Sequence, residues 1–294
     1  MITIFAIPKS FRGQTGIIQT NAIRTWLELR PVCEIILFGD EQGTAEIAVK
    51  LGVRHIPEVK CNEYGTPLIS DIFQVAQAHA LHPLMCYINA DIILMKDFMK
   101  AVARVAHRKS RFLLAGQRWD LDVDDFLDFG AHWEQQLKAQ LIQNGQLHPP
   151  AGTDFFVFPR GLCRNIPPFA VGRPPWDNWL LYRARKLGIP VVDITRVVSV
   201  IHQNHDYDHV PDRRGQSWEG PEADYNRALI GSWDYVFTLF DATYILTSKR
   251  LFPALGFKYL QRRCEALPVF FPALRPVMRF LSMLRKCSGL GSDR

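Results

Sequence analysis

The chain contains no run of about 18 apolar residues, so no segment is expected to cross a bilayer as a helix. Its six cysteines are Cys33, Cys61, Cys86, Cys163, Cys264 and Cys287, and no two form a Cys-x-x-Cys pair. That usage reads as reduced, structural cysteine in a cytosolic protein. The opening residues, Met1-Ile-Thr-Ile-Phe-Ala-Ile-Pro8, carry neither a basic segment nor a cleavage site, and are expected to form a strand rather than a signal peptide. Internal repeats and low-complexity segments are absent, which excludes solenoids and arrays. Excess positive charge is also missing from most of the chain. The net charge is +6, yet Lys249 to Arg294 alone holds ten Lys and Arg against two Asp and Glu, a net of +8. The other 248 residues hold 25 basic and 27 acidic groups, a net of −2, so a nucleic-acid-binding body is not expected.

What is present is an ordinary globular composition, with 48% hydrophobic and 22% charged residues in 294. Strands are predicted at 2–7, 34–38 and 53–56. Helices between them are predicted at 17–29, from the spacing of Ile18, Ala22, Trp26 and Leu29, and at 44–51, stopped by Gly52. This β-α-β-α-β order calls for a parallel sheet with right-handed crossovers. A helix at 69–81, a strand from Leu84, a helix at 98–107 and a strand at 111–115 continue it. After Gly116 the chain becomes acidic and aromatic, with a helical region expected at 125–143. A strand at 155–158, a Pro-rich loop, a helix at 179–187 and strands at 190–193 and 197–201 follow, then a helix at 222–230 and one or two strands in 235–246.

The most informative stretch is Leu84 to Asp97. A strand buried inside a sheet should be continuously apolar, and a carboxylate there is costly without a partner or a metal. Ending the strand near Ile88 places Asn89 and Asp91 on the rim at the carboxyl ends of the strands, where open α/β sheets bind ligands. Two short polar side chains one residue apart suit a hard divalent cation carrying a diphosphate; a turn followed by a helix cap accounts for them equally well. Further polar groups fall beside predicted strands: Asp40, Asp154 and His202. Asp177 sits just before a helix. Singly, each has a plain structural explanation, Asp40 as a turn residue and Asp177 as an N-cap. Together they are placed to converge on one rim.

Residues 1 to 205 resemble the nucleotide-sugar glycosyltransferases of GT-A fold, with a layout similar to the family-2-like group. Asn89-Ala90-Asp91 occupies the place of that family's Asp-x-Asp motif. Asp177-Asn178-Trp179-Leu180-Leu181-Tyr182-Arg183, then Gly188 and His202, is similar to its Glu-Asp-x-x-Leu-x-x-Arg … Gly … His run. Asn89 replaces the first Asp, Trp176 replaces the Glu, and Gly39-Asp40 lacks the usual Asp-Asp-Gly-Ser ending. The resemblance implies an α/β fold with a mixed, mostly parallel sheet flanked by helices and a C-terminal helical tail. It divides the chain into a catalytic domain at 1–248, with a nucleotide-binding half at 1–115 and an acceptor half at 116–248, and a basic tail at 249–294.

The activity implied is metal-assisted, inverting transfer of a sugar from a nucleoside diphosphate donor to a hydroxyl of a glycan or lipid-linked acceptor. Pro8, Lys9, Asp40, Asn89 and Asp91 would contact the donor. Asp91 and His202 would hold Mn²⁺ or Mg²⁺, with imidazole favouring Mn²⁺. Asp177 would be the base that takes the acceptor proton, and Asp154 a rival base or acceptor ligand. A helix N-terminus lowers the basicity of Asp177, so an apolar surround, supplied by Pro175, Trp176 and Trp179, is needed to restore it. Trp119, Trp133 and Trp176 suit stacking on sugars, and His202, His205 and His209 could alternatively form a zinc site. A nucleotidyltransferase is a second reading, although Arg12-Gly13-Gln14-Thr15-Gly16 is a poor phosphate loop; a non-catalytic nucleotide- or carbohydrate-binding protein is a third. In the tail, Val277, Phe280, Leu281 and Leu284 fall on one helical face and Arg275, Arg279 and Lys286 on the other. That pattern fits either an anchor to an anionic membrane surface through 275–286 or a helix packed on the body. The expected location is cytoplasmic, peripheral at the inner face of the membrane if the tail is an anchor.

Overall fold

The computed structural model describes residues 1–205 and 218–276. His209 and residues 277–286, part of the expected membrane anchor, lie outside the described residues. In chain order the first half comprises β1 (Ile2–Ala6), α1 (Gly13–Leu27), β2 (Glu34–Phe38), α2 (Thr44–Leu51), β3 (Arg54–Ile56), α3 (Ile69–His79), β4 (Leu84–Ile88), β5 (Ile92–Ile93), α4 (Lys96–Ala106) and β6 (Leu113–Ala115). Then come β7 (Trp119–Leu121), α5 (Trp133–Asn144), β8 (Gln146–Leu147), β9 (Phe155–Pro159), α6 (Trp176–Lys186), β10 (Val191–Asp193), β11 (Ile201–Gln203), α7 (Pro221–Ile230), β12 (Tyr244–Leu246), β13 (Leu251–Pro253) and α8 (Phe257–Phe270).

Nine strands form one sheet in the order β13-β12-β10-β6-β9-β4-β1-β2-β3. Pairing is parallel from β3 through β4 and again among β6, β10 and β12; β9 and the edge strand β13 run antiparallel to their neighbours. This is the mixed, mostly parallel sheet flanked by helices that the resemblance implied. Its central strands are apolar on both faces because both are covered. Ile4, Cys86 and Val157 enter one core layer, beside Trp26 and Phe98. Phe5, Tyr87 and Phe158, their neighbours along the strands, enter the other with Phe73 and Trp176. This alternation follows from the pleat.

A second sheet, ordered β5-β11-β7-β8, stands beyond β4. Trp26 of α1 ties it down by donating from Nε1 to the Ile92 carbonyl at 2.9 Å. The buried side chains of Asn21 and Gln203 do the same: Asn21 donates to Gln203 and to the Asp125 carbonyl and accepts from the Leu127 amide.

Three expectations change. The helix expected at 125–143 begins only at Trp133, because the backbone of 125–127 bonds to Asn21 instead of to a helical turn. Trp119–Leu121, not foreseen as a strand, pairs with β11. The strand expected at 197–201 lies at Ile201–Gln203, since Asp193 caps a single 3₁₀ turn at Thr195–Val197 through the Thr195 amide and hydroxyl. The segment after residue 249 is partly integral to the body. β13 closes one edge of the large sheet, and α8 packs on the body through Ala266 and Phe270.

Candidate functional site

β4 ends at Ile88, and the following residues turn onto the rim. The neighbouring antiparallel strand β9 begins there, so Asp154 faces Asn89, and the Asn89 amide donates to the Asp154 carbonyl. Asn89 Nδ2 donates to Asp154 Oδ1 at 2.7 Å, and Arg118 donates to Asp154 Oδ2 at 2.7 Å. Tyr87 reaches the Asn89 side-chain oxygen at 3.3 Å. An aspartate in place of Asn89 would set two carboxylates against each other at this distance, so asparagine is the residue this contact requires. Asp154, expected as a rival base, has both oxygens engaged; it holds Asn89 and Arg118 in place.

Asp91 lies at the centre of the rim. Its Oδ2 is 3.6 Å from His202 Nε2 and 3.3 Å from His205 Nε2. The ligand atoms of these three residues all lie within 4.8 Å of one another. Asp91 Oδ1 is buried with no hydrogen-bond partner among the described residues. A carboxylate and two imidazoles, with one buried oxygen unanswered, are a donor set that fits a divalent transition metal such as Mn²⁺. Burial opposes ionisation of Asp91, but the charges and hydrogen bonds of His202 and His205 outweigh it and hold the carboxyl well below its usual range. Burial likewise works against the His202 imidazolium, while Asp91 and Asp120 overcome it and raise that pKa to about 9.

Register explains why His202 is here. In the parallel pairing of β11 with β7, His202 stands beside Asp120, whose Oδ1 lies 3.5 Å from His202 Nδ1. Asp120 also takes Arg118 at 2.8 Å and His148 at 2.7 Å. Burial pushes its pKa upward, and the nearby His202 imidazole together with the bonds from His148 and Arg118 reverses the shift. Gln203, the next residue of β11, donates to the Asp91 carbonyl at 3.0 Å and fixes the backbone of the rim.

Asp177 occupies the first turn of α6. Its pKa is raised to about 7, principally by burial. The charge of Asp154 adds to the shift, while the backbone N–H groups of Thr153, Asp177 and Asn178 oppose it. The N–H groups at the helix start and burial thus act in opposite directions on Asp177, and burial prevails. Trp176 supplies part of that surround: it is 7% exposed and packs edge-on against Tyr87, with ring centroids 5.2 Å apart, and against Phe73 and Phe156. It is a core residue and not a sugar-stacking platform. Burial raises the Tyr87 pKa, and the charges of Asp91, Asp154 and Asp177 add to it.

The remaining expected residues are more dispersed. Pro8 is buried and Lys9 exposed beyond β1. Desolvation lowers the Lys9 pKa; Asp91 opposes that and Arg173 adds to it, so Lys9 stands in the field of both. Asp40 is exposed just past β2. Arg118, Asp120, His148 and Arg173 were not anticipated. The first two could have been found from the alternation Arg118-Trp119-Asp120, which puts both polar side chains on one face of a strand. His148 and Arg173 left no such pattern.

No protein-family model matches this chain, and no curated protein matches it in sequence. Among solved structures it is similar to glucosyl-3-phosphoglycerate synthase of Mycobacterium tuberculosis in complex with Mn²⁺, uridine diphosphate and phosphoglyceric acid. That match has 17% identity and a TM-score of 0.44, over 71% of this chain and 72% of that one. It is also similar to TarS of S. aureus in complex with UDP-GlcNAc, at 15% identity and a TM-score of 0.32, over 41% of this chain. The match spans only 35% of that TarS chain. Both are likenesses of fold.

Proposed function

We propose that this chain is a glycosyltransferase that moves a sugar from a nucleoside diphosphate donor to an acceptor hydroxyl. One observation carries the reading: Asp91, His202 and His205 bring their ligand atoms within 4.8 Å of one another just past β4, and Asp177, a carboxyl whose pKa of about 7 suits a general base at neutral pH, feels the charge of Asp154, which bonds the neighbouring Asn89. Asp91, His202 and His205 would hold a divalent cation, which as a Lewis acid would stabilise the charge on the departing diphosphate.

The chain's own residues do the rest. Lys9, which interacts electrostatically with Asp91, adds positive potential where the diphosphate would lie. Asp177 accepts the proton of the acceptor hydroxyl as its oxygen bonds to the anomeric carbon and the bond from that carbon to the diphosphate breaks. A single displacement of this kind inverts the anomeric centre. Asp154, Arg118 and Asn89 hold the floor of the cleft rigid. Trp176 keeps water from the buried side of Asp177. A glycan or a lipid-linked hydroxyl is the acceptor class.

The test is thermal melting with UDP, GDP and CTP, each with and without Mn²⁺. Ligand at about 100 times its Kd adds about 2.7 kcal/mol to the folded state. The expected result is a Mn²⁺-dependent rise with one nucleoside diphosphate, lost in Asp91→Ala. Asp177→Asn should keep that rise and lose sugar transfer. A rise with the triphosphate alone would point to nucleotidyl transfer and overturn the proposal.

A further inference from the structure

α8 carries large apolar side chains on its outer side as well as on the side that meets the body. The inner face is fastened to the body. Ala266 is 1% exposed, Tyr259 donates to Asp193 at 2.9 Å, Arg262 pairs with Asp241 at 2.9 Å, and the Phe270 ring meets Phe237 edge-on. On the opposite side, at helical spacing, lie Phe257, Leu260 and Cys264, with Phe271 just past the helix end. Phe257 is 81% exposed, Leu260 42% and Phe271 59%. Trp233, 59% exposed, belongs to the same edge, since its neighbour Asp234 pairs with Arg275 at 3.9 Å. Large side chains exposed singly are ordinary, but a contiguous stripe marks a surface that is covered in use.

The charge beside the stripe identifies what covers it. From 249 to 276 the chain holds six Lys and Arg and one acidic residue, Glu265, whereas residues 1–248 carry a net of −2; Arg262 is turned inward to Asp241 and Arg275 pairs with Asp234, which leaves Lys249, Arg250, Lys258 and Arg263. Where the C-terminal end of α6 approaches α8, Arg185, Lys186 and Arg263 line an open groove of about 640 Å³ together with Leu267, Phe270 and Phe271. A groove that combines these cations with leucine and aromatic side chains is complementary to an anionic amphiphile, whose phosphate would pair with Lys186 and Arg263 and whose hydrocarbon would lie on Leu267 and Phe271. A protein partner would also cover an apolar stripe, but the concentration of cations around it favours a surface of anionic headgroups.

We infer that the outer face of α8, with the groove between α6 and α8, docks on an anionic phospholipid bilayer. The helix lies in the interface plane, with Phe257, Leu260 and Phe271 inserted among the acyl chains and the cations at headgroup level. Among the described residues no helix is long and apolar enough to cross a membrane. The inference does not depend on the reaction proposed above.

Flotation of the full chain with vesicles tests it. The protein should float with phosphatidylcholine vesicles containing phosphatidylglycerol and stay behind with phosphatidylcholine alone. The triple variant F257S/L260S/F271S should lower the partition coefficient by about tenfold or more, and K186E/R263E should abolish the preference for anionic lipid. Phe257, Leu260, Phe271 and Lys186 are exposed and Arg263 is half-buried, donating to the Ala254 carbonyl at 3.2 Å; unchanged melting temperatures confirm that the variants fold. Flotation unchanged in the triple variant overturns the inference, as does failure of the full chain to float. A dimer in sedimentation that dissociates in the triple variant, without vesicle binding, would assign the stripe to a second copy instead.

Discussion

Replacing Asp177 by Asn tests the central physical claim, that burial dominates the environment of this carboxyl. The folded pKa is raised from 3.8 to about 7, so between those values the folded protein holds a proton that the unfolded chain has released. Stability changes with pH as the difference in bound protons, unfolded minus folded, and here that difference is negative. The contribution of Asp177 is therefore fully present below about pH 4 and is lost as pH rises through about 7. From pH 5 to pH 8 the loss spans roughly two units, or about 2.7 kcal/mol at about 1.36 kcal/mol per unit. Asparagine has the shape of the protonated acid and does not titrate. Urea unfolding of both proteins at pH 5 and pH 8 should show Asp177→Asn gaining about 2–3 kcal/mol relative to the wild type over that interval. A gap independent of pH, or one favouring the wild type as pH rises, would mean that the backbone N–H groups at the start of α6 hold the carboxylate ionised. Asp177 would then not be a base of near-neutral pKa. The experiment needs no substrate, so its outcome is separate from the identity of the reaction.

Arg118→Met should cost about 3–5 kcal/mol in urea unfolding, because it strands the carboxylates of Asp120 and Asp154, both partly or wholly buried. Asn89→Asp should not strengthen cation binding: the new carboxylate would face Asp154 Oδ1 across 2.7 Å. Calorimetric Mn²⁺ titration is expected to show equal or weaker affinity than in the wild type. Asn226→Ala removes bonds to both backbone groups of Ala170 and to the Arg173 carbonyl. It should destabilise the protein by about 2–4 kcal/mol and speed proteolysis of the loop before α6. Trp26→Phe leaves the Ile92 carbonyl unanswered and should lower stability by about 1–3 kcal/mol, read as a fall in the urea midpoint.

Much of this architecture is legible in residue order. β2 and α2 fall where periodicity and Gly52 place them, since a strand buried on both faces and a glycine at positive φ leave unambiguous local marks. The end of β4 at Ile88 was readable for the same reason: polar residues cannot continue into a covered sheet. The misread region, 117–148, lacks such local marks. Its backbone bonds go to distant partners, Asn21 over a hundred positions away among them, and β7 is a strand only because β11 pairs with it. No window of sequence contains that information.

Sequence alone therefore determined the βα order, the rim after β4 and a short list of polar residues facing it, because these depend on hydrophobic period and on the cost of burying polar groups. Tertiary structure decided what those residues do. It set Asp91 against two imidazoles instead of one, gave both oxygens of Asp154 to Arg118 and Asn89, and enclosed Asp177 until burial outweighed the backbone N–H groups around it. It also set α8 against the body with a second apolar face turned outward. Each of these outcomes depends on distances between residues far apart in the chain, and electrostatic and packing energies are functions of distance in space.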